Sequence, residues 1–148
     1  MAAILDDEHF MKQALSEAVI AFDKGEVPIG AVIVCEGKII ARAHNLTETL
    51  KDVTAHAEMQ AITAAASVLG GKYLIDCTIY VTVEPCPMCA GALAWAQIDR
   101  IVYGATDEKR GYTRIAPDTL HPKTKVFSDV LAEEASELMK RFFKGLRG

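Results

Sequence analysis

Residues 77–93 read "CTIYVTVEPCPMCAGAL". The first seven are an apolar, β-branched and aromatic run, the composition of a strand buried on both faces. Pro87 has no place inside a helix, but its fixed φ suits the first helical position. The spacing therefore predicts a helix over 87–97, with Cys86 at its cap and Cys89 in its first turn. A buried strand that passes straight into a helix is the signature of an α/β chain. Both thiols then gather at a helix N-terminus, where the dipole favours the thiolate, the metal-binding form. Taken alone, the C-x-x-C fits a redox pair or a metal site. Redox pairs usually stand at a first strand–helix junction, whereas this one comes past mid-chain with a proline between the cysteines.

Working outward, Phe10, Met11, Ala14, Leu15, Ala18, Val19 and Phe22 recur at helical spacing, and Gly25 stops the helix. "AVIVC" (31–35) and "KIIARA" (38–43) read as antiparallel partners joined at Glu36–Gly37. A polar stretch, "HNLTETLKD", separates them from an alanine-rich helix predicted from about Thr54 to Leu69 and closed by Gly70 and Gly71. "RIVYG" is a fourth strand and 105–122 a charged loop. "KVFSDV" (125–130) is a short fifth strand, and 131–146 a terminal helix. Helices between the later strands imply right-handed crossovers and parallel pairing. We expect one layered domain over residues 1–148, with helices on both faces of a mixed sheet.

At 148 residues the chain is long enough to bury a full core, and 51% hydrophobic residues exclude a disordered chain. No apolar run approaches a membrane span. The opening "MAAILDDEHF" carries acids where a secretory leader carries bases, which predicts a cytoplasmic protein. Cys35 and Cys77 lie in strand runs and read as small buried hydrophobes. The net charge of −4 excludes nucleic-acid binding by long-range field alone. Bases nevertheless cluster at Lys109, Arg110, Arg114, Lys123, Lys125, Lys140, Arg141, Lys144 and Arg147. They fit either a local basic surface or ordinary solvated faces.

A metal at Cys86 and Cys89 needs further ligands. His56 and Glu58 stand in "TAHAEMQA", also at a helix start. Two residues apart, they would diverge on the side of a helix. Off the helix end they could share one site, so two helix N-termini could face each other over one ion. Three protein ligands leave a fourth tetrahedral position open, as in catalytic zinc. Glu58 would then take and deliver protons beside the activated water. A structural zinc site in an RNA-binding module would normally close with four protein ligands, and His9, His44 and His121 lack the spacing to supply one.

The pattern H-A-E followed by P-C-x-x-C resembles the zinc-dependent cytidine and nucleoside deaminase superfamily. "GEVPIGAVIV", "AHN", "TAHAEMQAI", "IYVTVEPCPMCAGAL", "RIVYGA" and "LMKRFFKGLR" are similar to its bacterial tRNA-specific adenosine deaminase branch, over nearly the whole chain. The resemblance implies a cytidine-deaminase-like three-layer α/β/α fold around a five-stranded mixed sheet, and a homodimer. It implies one Zn2+ per chain on His56, Cys86 and Cys89, with Glu58 as the proton shuttle. Asn45 would bind the base, and Val27, Pro28 and Ala57 would help line the pocket. The implied reaction is hydrolytic deamination of adenosine to inosine in a tRNA anticodon loop, by zinc-bound hydroxide attack on a flipped base. Lys109, Arg110, Arg114, Phe143, Lys144 and Arg147 would contact RNA. "DEKRGYTRIAPD" is bulkier than its counterpart in that branch, and "LHPKTKV" stands where an Asn-His pair is common. The same zinc chemistry on guanine, cytosine or cytidine is the alternative.

Overall fold

The computed structural model describes residues 2–147, with side chains over 7–146. In chain order the elements are α1 (Ala2–Asp23), β1 (Gly30–Cys35), β2 (Lys38–His44), α2 (Thr47–Leu50), α3 (Ala57–Leu69), β3 (Cys77–Val83), α4 (Pro87–Ala96), β4 (Arg100–Ala105), α5 (Tyr112–Ile115), β5 (Lys125–Phe127) and α6 (Ala132–Arg147). The five strands form one sheet in the order β2-β1-β3-β4-β5. β1 runs antiparallel to both neighbours, while β3, β4 and β5 are mutually parallel. Glu36 and Gly37 both take positive φ, 53° and 76°, the twist that a tight hairpin between β1 and β2 requires.

Strand alternation splits the core into two layers. Ala31, Ile33, Ile79, Val81, Ile101 and Tyr103 face the alanines of α3 and Leu93 of α4. Val32, Val34, Tyr80 and Val102 face the other way, against Met11 and Ala14 of α1. α6 packs beside α1 on that second face, against β4. The result is helices, sheet, helices, as expected. α1 approaches the sheet so closely that a Cβ on Gly30 would lie 2.0 Å from the Ala14 carbonyl oxygen. Only glycine can open β1 there.

The alanine-rich helix and the fifth strand differ from those read in the sequence, each for a local reason. The alanine-rich helix begins at Ala57, not Thr54, because the Asp52 carboxylate accepts from the Thr54 amide at 2.8 Å and its hydroxyl at 2.7 Å. That turn holds 52–55 out of the helix. The fifth strand has three residues, not six. Asp129 turns at φ 65°, and its amide donates to Gly104 instead of continuing the ladder. The polar stretch after β2 and the charged loop after β4 each contain one short helix, α2 and α5.

The register brings one end of each central strand to a common edge. Gly30 opposes His44, Ala31 opposes Val81, and Val83 opposes Ala105. Ile29, Asn45, Glu84 and Thr106 follow or precede these residues, so they line that edge. α3 and α4 also start there, which puts both N-termini on one side of the molecule.

Candidate metal centre and active site

His56 is the N-cap of α3 and Cys86 the N-cap of α4, both with extended backbone. Neither makes a side-chain capping hydrogen bond to its helix. They turn to each other instead. His56 Nδ1 lies 3.7 Å from Cys86 Sγ and 3.5 Å from Cys89 Sγ. Among the described residues these three ligand atoms form one group, all within 4.8 Å of one another. Tetrahedral zinc, with Zn–S near 2.3 Å and Zn–N near 2.05 Å, sets an S···N edge of about 3.6 Å. The observed edges bracket that length, so the donor set and its spacing suit zinc.

Pro87 is the first residue of α4, and Cys89, in the first turn, is fully buried. Glu58 is buried in the first turn of α3, 3% exposed, and its carboxyl lies against the Cys89 thiol. The divergence expected from the two-residue spacing is resolved by backbone. His56 is an extended cap residue and reaches off the helix end, while Glu58 is helical.

The protein atoms alone polarise this cluster. The Cys89 thiol, bonded to Cys86, lowers the Cys86 pKa to about 4 against the effect of burial, with help from His56. The same bond raises the Cys89 thiol, and burial adds to the rise. The bond to Cys86 raises His56. Burial pushes Glu58 up to about 7. A thiolate beside an imidazole is a soft anionic ligand set ready for a cation, and a carboxyl near 7 can both take and give a proton at neutral pH.

Asn45 is buried, 5% exposed, just after β2, and its backbone N–H donates to the Ile29 carbonyl at 3.1 Å. Pro28 is buried and Val27 half-buried just before β1, and Ala57 is buried beside His56. Gln60 Nε2 donates to the carbonyls of His44, at 2.7 Å, and Ala55, at 3.2 Å. It thereby ties the strand end bearing Asn45 to the helix bearing His56 and Glu58.

Lys109, Arg110 and Arg114 are exposed on the loop after β4. That loop abuts the turn that carries Cys86, because the Tyr112 amide donates to the Pro85 carbonyl at 3.0 Å. On α6, Lys140, Lys144 and Phe143 are exposed. Phe142 packs on Phe22 of α1, with ring centroids 6.1 Å apart, and Arg141 lies 5.3 Å over the same ring. The two adjacent phenylalanines therefore divide, one inward and one outward. The side chain of Arg147 lies outside the described residues. Lys140 shares an open cavity of about 470 Å³ with Asp129, Glu133 and Glu137, so the face of α6 near β4 is acidic.

Among the described residues, the buried carboxylates of Glu26 and Glu84 are two that escape sequence reasoning. Glu26 is fully buried and accepts from the Glu48 amide (3.1 Å) and from the Thr49 amide and hydroxyl (both 2.6 Å), which fixes α2. Glu84, 3% exposed, does the same for the loop after β4. The hint in the sequence was only that each glutamate directly precedes a proline-containing turn at a strand end.

The MafB19-like deaminase family matches residues 5–147. The chain is 50% identical to the tRNA-specific adenosine deaminase of Aquifex aeolicus, over 95% of both chains. It is 47% identical to that of Bacillus subtilis, over 95% of this chain and 91% of the relative. Its fold superposes with a TM-score of 0.83 on a structure solved in a study of A-to-I editing by tRNA:A34 deaminases. That match is 44% identical and covers 88% of this chain and 98% of the other. A guanine deaminase from Nitrosomonas europaea, 22% identical over 91% of this chain and 83% of its own, shares the fold with a TM-score of 0.78. With a matching family over almost its full length and such identities on both sides, the chain belongs to the tRNA-specific adenosine deaminases of the MafB19-like deaminase family.

Proposed function

We propose that this protein hydrolytically deaminates adenosine to inosine in a tRNA anticodon loop, with one zinc ion held by His56, Cys86 and Cys89. The observation that carries the chemistry is a three-ligand cradle of zinc-like spacing beside a buried carboxyl with a pKa near neutrality. Zinc in that cradle supplies a Lewis acid that makes water a nucleophile at neutral pH. Glu58 would relay both protons of the attacking water, one to the ring nitrogen and one to the amino group that departs as ammonia. Burial is what fits it to both directions of transfer. Asn45 holds the base, and Val27, Pro28 and Ala57 wall the pocket. The adenosine must leave its stack to reach so deep a site, which suits a single-stranded loop. Lys109, Arg110 and Arg114, with Phe143, Lys144 and Arg147 of α6, contact the RNA.

The substrate class rests on identities of 47–50% to tRNA-specific adenosine deaminases along almost the whole chain. The same reading makes the enzyme a cytoplasmic homodimer. Trp95 on α4 is 85% exposed and Val53, before α3, 84% exposed. An exposed indole favours a partner surface, because aromatic residues are enriched at protein interfaces. No helix among the described residues is long and apolar enough to cross a membrane.

The deciding experiment is nucleoside analysis of tRNA incubated with the purified enzyme, beside guanine, cytosine and cytidine. Inosine in tRNA with untouched free bases is the expected result. Brisk turnover of a free base with no inosine in tRNA would reassign the substrate.

A further inference from the structure

Glu84 occupies the turn between β3 and α4, two residues before Cys86. Its amide donates to the Ala105 carbonyl at 2.8 Å, which anchors it to the end of β4. Its carboxylate then reaches into the loop that follows β4. It accepts from the Asp107 amide at 3.1 Å, the Thr113 amide at 3.1 Å and the Thr113 hydroxyl at 2.5 Å. Asp107 in turn accepts at Oδ1 from the amides of Lys109 and Arg110, both at 3.0 Å. Residues 107–113 thus close around one buried carboxylate, with the basic side chains left outside. The closure is tight. A Cβ on Gly111 would lie 2.4 Å from the Glu84 carboxyl carbon.

An isolated buried carboxylate is unfavourable, and this one is held by three donors. An acceptor-only group is what a loop needs when its own amides point inward. The loop carries three bases, Lys109, Arg110 and Arg114, beside the acids Asp107 and Glu108. The amide of Tyr112 ties it to Pro85, next to the ligand Cys86. Glu84 and the Tyr112–Pro85 bond together set the position of the basic loop relative to the metal cradle.

We propose that Glu84 is a positioning residue for RNA recognition: it holds the 106–115 loop preordered, so that Lys109, Arg110 and Arg114 meet the phosphates flanking an adenosine in the site. This rests on the tRNA reading above. A preordered loop avoids the ordering entropy that a mobile one loses on binding, so Glu84 acts on affinity more than on chemistry. Its partner in this is Thr113, whose hydroxyl is the shortest contact.

The test uses the full-length zinc-loaded enzyme, the variants Glu84→Gln and Thr113→Val, and the double variant. An anticodon stem-loop RNA is the probe. Its Kd is read by fluorescence anisotropy, KM and kcat by inosine formation, and zinc by elemental analysis. Glu84→Gln is expected to raise Kd and KM by about tenfold or more, with kcat within about threefold. Zinc stays at the parent stoichiometry. Thr113→Val shifts Kd in the same direction, and the double variant is no worse than Glu84→Gln, because both act through one network. Unchanged Kd and KM in Glu84→Gln would overturn the proposal. So would lost zinc or kcat at unchanged Kd, which would make Glu84 a support of the metal turn instead. If Glu84→Gln fails to fold, Thr113→Val decides, and a parental Kd there overturns the proposal. Failure of the parent enzyme itself to bind the stem-loop defeats the tRNA reading, a result distinct from any variant effect.

Discussion

Replacing Glu58 with glutamine separates catalyst from ligand. The side chain is 3% exposed, and burial raises its pKa from the ordinary 4.5 to about 7. Glutamine keeps its size and its buried packing but carries no proton. One general acid–base transfer is worth roughly 10²–10⁴-fold. Glu58 would serve in more than one transfer, so the loss in kcat should reach about 10⁴-fold or beyond, near 5 kcal/mol of transition-state stabilisation. Zinc content should not change, because in the proposed site the ligand atoms are those of His56, Cys86 and Cys89. A second readout comes from linkage in the chelated protein. The folded chain keeps the Glu58 proton up to about pH 7, whereas the unfolded chain releases it near 4.5. The folded state therefore binds more protons in that window, and stability falls as pH rises through it. The shift corresponds to about 3 kcal/mol once pH exceeds the folded value. Glutamine escapes this penalty. Chelated Glu58→Gln should be more stable than the chelated parent at pH 8 by up to that amount, and equal to it near pH 4. Single-turnover inosine formation, zinc analysis and urea unfolding at the two pH values make the assay. Loss of zinc in Glu58→Gln, or activity above about a hundredth of parental, would refute the shuttle.

Three further outcomes follow from the same geometry. The double variant Cys86→Ser, Cys89→Ser should bring zinc per chain close to zero and lower thermal stability, because metal binding contributes directly to folding; full zinc retention would contradict the cradle. Neutralising Lys144 and Arg147 should weaken stem-loop binding and flatten the slope of log Kd against log salt by about one per lost phosphate contact, with zinc untouched; an unaltered slope would remove the end of α6 from the interface. Trp95→Glu should shift the protein toward monomer in sedimentation at micromolar concentration, since it places a charge on an 85% exposed indole position; a parental sedimentation profile would show that α4 is not the dimer face.

The strand-to-helix step at 77–93 was fully legible in the sequence, because it depends on local chemistry. A β-branched run makes a strand, a proline with fixed φ opens a helix, and two thiols three apart fall at its start. His56 and Glu58 were legible for the same reason, each within one turn of a helix start. Tertiary structure decided what those local units meet. It set β1 antiparallel between β2 and β3, and it aligned four strand ends on one edge. Only that alignment brings the caps of α3 and α4, 30 residues apart, within ligand distance. It also decided that Glu26 and Glu84 lie inside, that Phe142 faces the core while Phe143 faces out, and that Asp129 ends β5 after three residues. In the sequence, Glu84 looks like any surface glutamate. Its burial is set by donors from Asp107 and Thr113, more than twenty residues away, and no local periodicity records a partner at that distance.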